Sequence, residues 1–320
     1  MLSLKFNNAY IKSYNAITSN NEKNGNISNV KSIGNDYYYG AKTFDMAQEK
    51  MMKSVIDNLL KNDKVNLIIG GDLTNQLETF YISTNNRNIS SLGLYSACST
   101  FIESVINASI LTDKYKKIRN ILCITSSHNL VSEKEFRYPV EYGALRDPNS
   151  TYTATCAIGA IITNQKTNIK INSATIGSPV EYGIKDPNYI GAIMAPAAGD
   201  ALYSHLINNN KSLNDFDLIL TGDLGNVGLN ILKDFLKEKY NIYSNNIKDA
   251  GSNLYKDIDE INDGASGPAV LPLYFFYNIL NHKKYKHILL IGTGSLHSKT
   301  IVNQKNIVPA ISHIIEIEVI

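Results

Sequence analysis

At 320 residues, 43% of them hydrophobic, the chain is long enough to bury a large core and short enough to form two intimate halves without a linker. Its 31 basic and 29 acidic side chains leave a formal charge of +2, too weak a net field to hold a polyanion, which argues against nucleic acid as a partner. The cysteines, Cys98, Cys123 and Cys156, are odd in number and far apart, so neither a disulfide nor a zinc site is expected, and nothing calls for another metal or an organic cofactor.

Met1 to Asn20 lacks a basic head and a following apolar run, so the expectation is cytoplasmic synthesis without a signal peptide. Phe44, Ala47, Met51, Val55 and Leu59 recur at helical spacing, and Met46, Met51 and Met52 read as a core-packing face. The apolar run after Val65 stops at Gly71-Asp72-Leu73-Thr74-Asn75, as a parallel strand buried on both faces would. Gly93-Leu94-Tyr95-Ser96-Ala97-Cys98-Ser99-Thr100 places a thiol where a turn of small residues becomes a helix, whose apolar positions from Phe101 to Leu111 spread over more than one face. Free N–H groups and the helix dipole there favour a thiolate and attract anions, although Cys98 also suits the role of a small buried hydrophobe.

Lys114-Tyr115-Lys116-Lys117 leads into a strand ending at Ser126-Ser127-His128-Asn129. The irregular stretch that follows holds Glu133, Arg137, Tyr138, Glu141 and Arg146, two of the chain's four arginines. Ligands of α/β sheets gather beyond the carboxyl ends of strands, where this loop begins. An Arg137 paired with Glu133 or Glu141 in a solvated loop explains it equally. Thr151 to Thr163 with Ile169 to Ile176, and later Val308 to Ile320, alternate in the manner of sheet hairpins.

The second half repeats the first. A helix from Met194 to Ile207 precedes an apolar run ending at Gly222-Asp223-Leu224-Gly225-Asn226, and Pro196 and Asp200 break the apolar stretch from Ile190 to Ile207 short of a bilayer span. Lys284-Tyr285-Lys286-His287 then leads into the strand from Ile288. Asp72 and Asp223 read as helix caps, and Gly292-Thr293-Gly294 is too short of glycines for a nucleotide loop. Matching order and spacing imply an internal duplication, residues 1–165 and 166–320, with parallel sheets and right-handed crossovers.

The Cys98 turn in this duplicated setting resembles thiolases and ketoacyl synthases. Together with Glu133-Lys134-Glu135-Phe136-Arg137-Tyr138-Pro139, Glu141-Tyr142-Gly143 and Met194-Ala195-Pro196-Ala197-Ala198, it resembles the stage V sporulation protein AD family from near residue 38 onward. The resemblance implies an α/β thiolase-like fold of two βαβαβαββ halves in five α-β-α-β-α layers. It implies a sporulation role: binding dipicolinic acid (pyridine-2,6-dicarboxylate) and assisting its uptake into the developing spore. Its implied partners are membrane proteins of the same operon, with a peripheral location at the forespore or spore inner membrane, and a homodimer is compatible with it.

The ligand-binding candidates are Cys98, Tyr95, Ser99, His128, Asn129, Arg137 and Tyr138. Thiolases add a Gly-His-Pro turn and a glycine-rich turn in the second lobe, whereas Gly264 to Pro268 has no histidine and Val308 to His313 no paired glycines. The reading therefore favours a binding protein. The alternative is an acyltransferase with Cys98 as nucleophile.

Overall fold

A computed structural model describes residues 1–136, 147–256, 261 and 263–320. In chain order the first half holds β1 (Leu2–Lys5), β2 (Tyr10–Thr18), α1 (Asn20–Lys23), β3 (Lys31–Ser32), α2 (Phe44–Leu60), β4 (Leu67–Asp72), α3 (Glu78–Thr84), β5 (Ser90–Gly93), α4 (Thr100–Lys114), β6 (Asn120–Ser127), α5 (Asn129–Phe136), β7 (Tyr152–Thr153) and β8 (Cys156–Thr163). The second holds β9 (Ile169–Ile176), α6 (Ile190–Asn209), β10 (Leu218–Thr221), α7 (Gly225–Tyr240), β11 (Ile247–Asp249), α8 (Gly251–Leu254), β12 (Ala265–Ser266), α9 (Val270–Tyr274), α10 (Leu280–His282), β13 (His287–Ser295), α11 (Lys299–Asn303) and β14 (Ala310–Val319).

The main sheet runs β11-β10-β13-β14-β9-β2-β8-β6-β4-β5. From the centre outward, β2-β8-β6-β4-β5 and β9-β14-β13-β10-β11 follow the same logic, an antiparallel start and then parallel strands. Gly71-Asp72 ends β4 and Gly222-Asp223 follows β10, so the repeated turns occupy equivalent topological positions. β8 and β9 do not pair with each other as a hairpin. β2 lies between them, joined to β8 along its length and to β9 at the Tyr10–Lys170 pair.

Alternation along the strands divides the core. Ile68, Leu122 and Ala157 face outward onto Met51, Met52, Val55 and Phe80 of α2 and α3. Ile219, Leu289 and Ile314 face outward onto α6 and α7. Their neighbours Ile69, Cys123, Leu220 and Leu290 turn inward onto α4 and the helical stretch from Val270 to Ile279. These are the five layers, with α4 buried against both halves. Thr43 caps α2 by accepting from the Met46 N–H at 3.2 Å, and the helix buries Ala47, Met51, Met52, Val55 and Leu59. Met46 falls on the other side, 45% exposed, and is not part of the core face.

α6 begins four residues ahead of Met194 and runs through Pro196. Proline removes one helical N–H, but Met194, Ala195, Ala197, Ala198, Ala201 and Leu202 are all buried between the second half's strands and α7, and that tertiary burial outweighs the local cost. α6 and α7 cross where Gly191 meets Gly228. A Cβ added at Gly228 would lie 2.8 Å from the Gly191 Cα and 2.9 Å from its carbonyl carbon, so the backbones must part. Gly228→Ala is therefore expected to lower stability by about 1–3 kcal/mol. A chemical denaturation curve superimposable on the parent's would contradict this contact.

Glu22 is fully buried in α1 and joins three segments. Its carboxylate accepts from the Ser19 N–H at 3.1 Å, the Thr155 N–H at 3.0 Å and the Tyr255 hydroxyl at 2.7 Å, the last from the second half.

Candidate functional site

The turn between β5 and α4 is strained into shape. Ala97 holds φ +49, in the left-handed region that costs a non-glycine residue about 1–2 kcal/mol. The Thr100 hydroxyl braces it, donating to the Ala97 carbonyl at 2.7 Å and accepting from the Ser96 N–H at 3.1 Å. The turn packs directly on β13 of the other half. A Cβ at Gly294 would come within 2.3 Å of the Ser96 carbonyl oxygen, so only glycine admits this approach. Cys98 is thereby held at the floor of a cavity of about 300 Å³ between the halves.

Three groups converge behind the thiol. Asp223, at the end of β10, accepts from the Thr293 hydroxyl at 2.7 Å and from the Gly267 N–H at 3.2 Å, and the Cys98 thiol donates to the same carboxyl. Burial pushes the Asp223 carboxyl up to about 7; the Cys98 and Thr293 hydrogen bonds oppose that rise and the nearby Asp249 adds to it. Burial first, then the charge and hydrogen bond of Asp223, push the Cys98 thiol well above its ordinary value, against the pull of the Gly267 N–H. The sequence favoured a thiolate here. The structure places a carboxyl where a helix dipole alone would have acted, and the cysteine is held as a thiol.

The rest of the wall is mixed. Leu73, Ile190 and Met194 give apolar surface, Tyr95 stands at the rim, and Ser266, Ser295 and Thr153 offer hydroxyls. His297 lines the cavity with Nδ1 3.0 Å from the Ser295 hydroxyl; burial pulls its imidazole down to about 4, so it is neutral near pH 7. Among the described residues the wall carries the carboxyls of Glu133 and Asp147 and no lysine or arginine.

Compared with known proteins, residues 2–318 match the family model for stage V sporulation protein AD. The chain belongs to the stage V sporulation protein AD family. Stage V sporulation protein AD of Bacillus subtilis (strain 168) is 33% identical over 313 residues, covering 95% of this chain and 92% of that protein. Among solved structures, cerulenin-bound OleA of Xanthomonas campestris covers 98% of this chain and 100% of its own, with TM-score 0.62 and 14% identity. A variant of that OleA with bound lauric acid and lauroyl-CoA covers 98% and 99%, with TM-score 0.61 and 13% identity. The fold of this sporulation AD family member is thus thiolase-like.

Of the residues expected at the family's site, Cys98 and Tyr95 line the cavity together. Ser99 is fully buried behind the turn, toward Gly292. His128 is directed elsewhere: its Nε2 lies 3.0 Å from the Tyr37 carbonyl and its ring stacks on Phe44, in the outer layer against α2. Asn129 is occupied locally, its N–H donating to Thr155 Oγ1 and its amide to the Thr153 carbonyl. Arg137 and Tyr138 lie outside the described residues. Sequence reasoning missed Asp223, Gly267, Thr293 and Met194 as site residues. Asp72 does cap, accepting from the Phe80 N–H of α3 at 2.8 Å, whereas Asp223 does not: it serves the cavity floor. The signal for the missed group lay in Gly292-Thr293-Gly294, which was weighed only as a phosphate loop.

Proposed function

We propose that this chain binds pyridine-2,6-dicarboxylate in the cavity beside Cys98 and assists its passage into the developing spore. One observation carries the choice of binding over acyl transfer: the Cys98 thiol is paired with a carboxyl, which works against thiolate formation. A thioester-forming nucleophile needs the opposite, a partner that lowers the thiol pKa or removes its proton early. Family membership supports the sporulation role. The cavity's size suits a small planar ligand, with Leu73, Ile190 and Met194 for the ring. A dianion also needs cations. Phe136 and Asp147 line the cavity, and in sequence Arg137 directly follows the one and Arg146 directly precedes the other, so we assign the carboxylate pairing to these arginines.

No helix among the described residues is long and apolar enough to cross a membrane. We therefore assign transport itself to membrane proteins of the same operon, with this chain peripheral to them. Calorimetry on the purified protein tests the binding. Pyridine-2,6-dicarboxylate should bind, pyridine-2-carboxylate should bind much more weakly, and Arg137→Ala should weaken the dicarboxylate by more than about tenfold. Unchanged binding in folded Arg137→Ala and Arg146→Ala would place the ligand elsewhere. A stable acyl adduct on Cys98 after incubation with acyl-CoA would favour the acyltransferase reading instead.

A further inference from the structure

Each half of the repeat carries a basic turn where its central helix ends, and the fold brings both turns to one rim. Lys114 ends α4, and Lys116, Lys117 and Arg119 lie between it and β6; Lys283, Lys284 and Lys286 lie between α10 and β13. The Asn164 N–H donates to the Arg119 carbonyl at 3.2 Å, which ties the segment carrying Lys166 and Lys170 to the first turn. Lys170 pairs with Glu318 across β9 and β14, and the Val319 N–H donates to the Lys286 carbonyl at 2.8 Å, which ties the same segment to the second turn. The result is one continuous band of nine cations.

All of these side chains are exposed except Lys170, which is half-buried. Among the described residues none of the nine forms an ion pair. The acids nearby are already engaged. Asp113 accepts from the Asn7 and Asn8 N–H groups, Asp217 from those of Lys286 and His287, and Glu318 from the Asn172 amide. Asp113, Asp217 and Glu318 are thus the acids that bond within the segments carrying these nine cations.

The rim is also distant from the cavity. It lies where β6 and β13 begin, and the cavity where they end; at about 3.3 Å per residue these strands separate the two by about 25 Å. Eight of the nine cations are lysines, hydrated point charges instead of the planar forks that read single carboxylates or phosphates. Tyr115, 54% exposed, and Tyr285, beneath the Lys284 ammonium, add aromatic surface among them. Diffuse lysine charge with interfacial tyrosines is the pattern of contact with an anionic bilayer.

We propose that this rim rests on an anionic phospholipid surface, with the mouth of the cavity turned away from the bilayer. The interaction is independent of ligand binding, which calorimetry reads without lipid. The test is flotation of the purified full chain with vesicles of phosphatidylglycerol and phosphatidylcholine, against vesicles of phosphatidylcholine alone. The protein should float with the former only and be released by high salt. Lys116→Glu with Lys117→Glu, or Lys283→Glu with Lys284→Glu, should each weaken partitioning about tenfold, and all four together about a hundredfold or more. Lys42→Glu with Lys185→Glu, exposed positions at the opposite end of the strands, should change nothing, and circular dichroism confirms that each double variant is folded. The proposal is overturned by equal flotation with both lipids, by rim and control variants behaving alike, or by a protein that ignores anionic vesicles while being retained by nucleic acid or an acidic protein.

Discussion

Asp223→Asn is expected to make Cys98 react with iodoacetamide about ten to a hundred times faster near pH 8. Alkylation consumes the thiolate, so its rate follows the thiolate fraction. In the parent, Asp223 titrates near 7 and is ionised at pH 8, and its charge and hydrogen bond hold the Cys98 proton in place. Asparagine keeps the size of the side chain and removes the charge. The sign of the pH dependence follows. Below about pH 7 the parent's Asp223 becomes protonated and its opposition fades, so the variant's advantage should shrink on acidification and grow as pH rises through 7. Cys123 and Cys156 are wholly buried and serve as unreactive internal references in the mass spectrum. Equal rates at every pH, or a slower variant, would mean that Asp223 does not govern this thiol.

The largest loss of stability is expected from Glu22→Ala, about 3 to 5 kcal/mol. Truncation leaves the Ser19 N–H, the Thr155 N–H and the Tyr255 hydroxyl without their acceptor in a water-free interior, each costing about 1–3 kcal/mol before relaxation. For a chain of this size that should lower Tm by roughly 4–8 °C in a calorimeter. The pH sense is distinct from that of a surface acid. Burial raises the Glu22 pKa, so the folded state holds this proton more tightly than the unfolded chain. Stability contributed through Glu22 is then present at low pH and declines as pH climbs through the ordinary carboxyl range toward the raised value. Glu22→Ala should flatten that slope while lowering the whole curve. A variant as stable as the parent would show that the junction of the halves does not depend on this carboxylate.

Much of the fold could be read from the chain because duplicated, doubly buried strands leave an uninterrupted apolar signature. Leu67 to Ile69 and Leu218 to Leu220 both face a helix on each side, and both end at Gly-Asp-Leu. What was misread depended on distant partners. The helix read from Met194 to Ile207 begins earlier, at Ile190, because burial against α7 and the sheet extends it toward its amino end. Adjacency suggested that β8 and β9 form a hairpin, but β2, from the opposite end of the first half, inserts between them.

The site shows the same division. Cys98 and Tyr95 were visible because a turn of small residues before an apolar helix is a local pattern. His128 was drawn in by its neighbours in sequence, while its side chain turns outward to Tyr37 and Phe44. Asp72 and Asp223 stand in almost identical pentapeptides, and only tertiary surroundings separate a helix cap from the acid beneath Cys98. No window of sequence contains Thr293 and Gly267, the two donors that make the difference.

The position of the first strands bears on how the chain comes together during synthesis. β2 can complete its pairing when β8 emerges, so the first half has all five of its strands before the second exists. β1 does not belong to that set: it pairs with β9, matching Leu2 to Ile176 and Lys5 to Ser173. Until β9 leaves the ribosome, β1 remains unpaired beside a nearly finished layer. β1 is therefore made before the strands around it and is among the last to be fastened, a latch that closes only once the second half has begun to arrive.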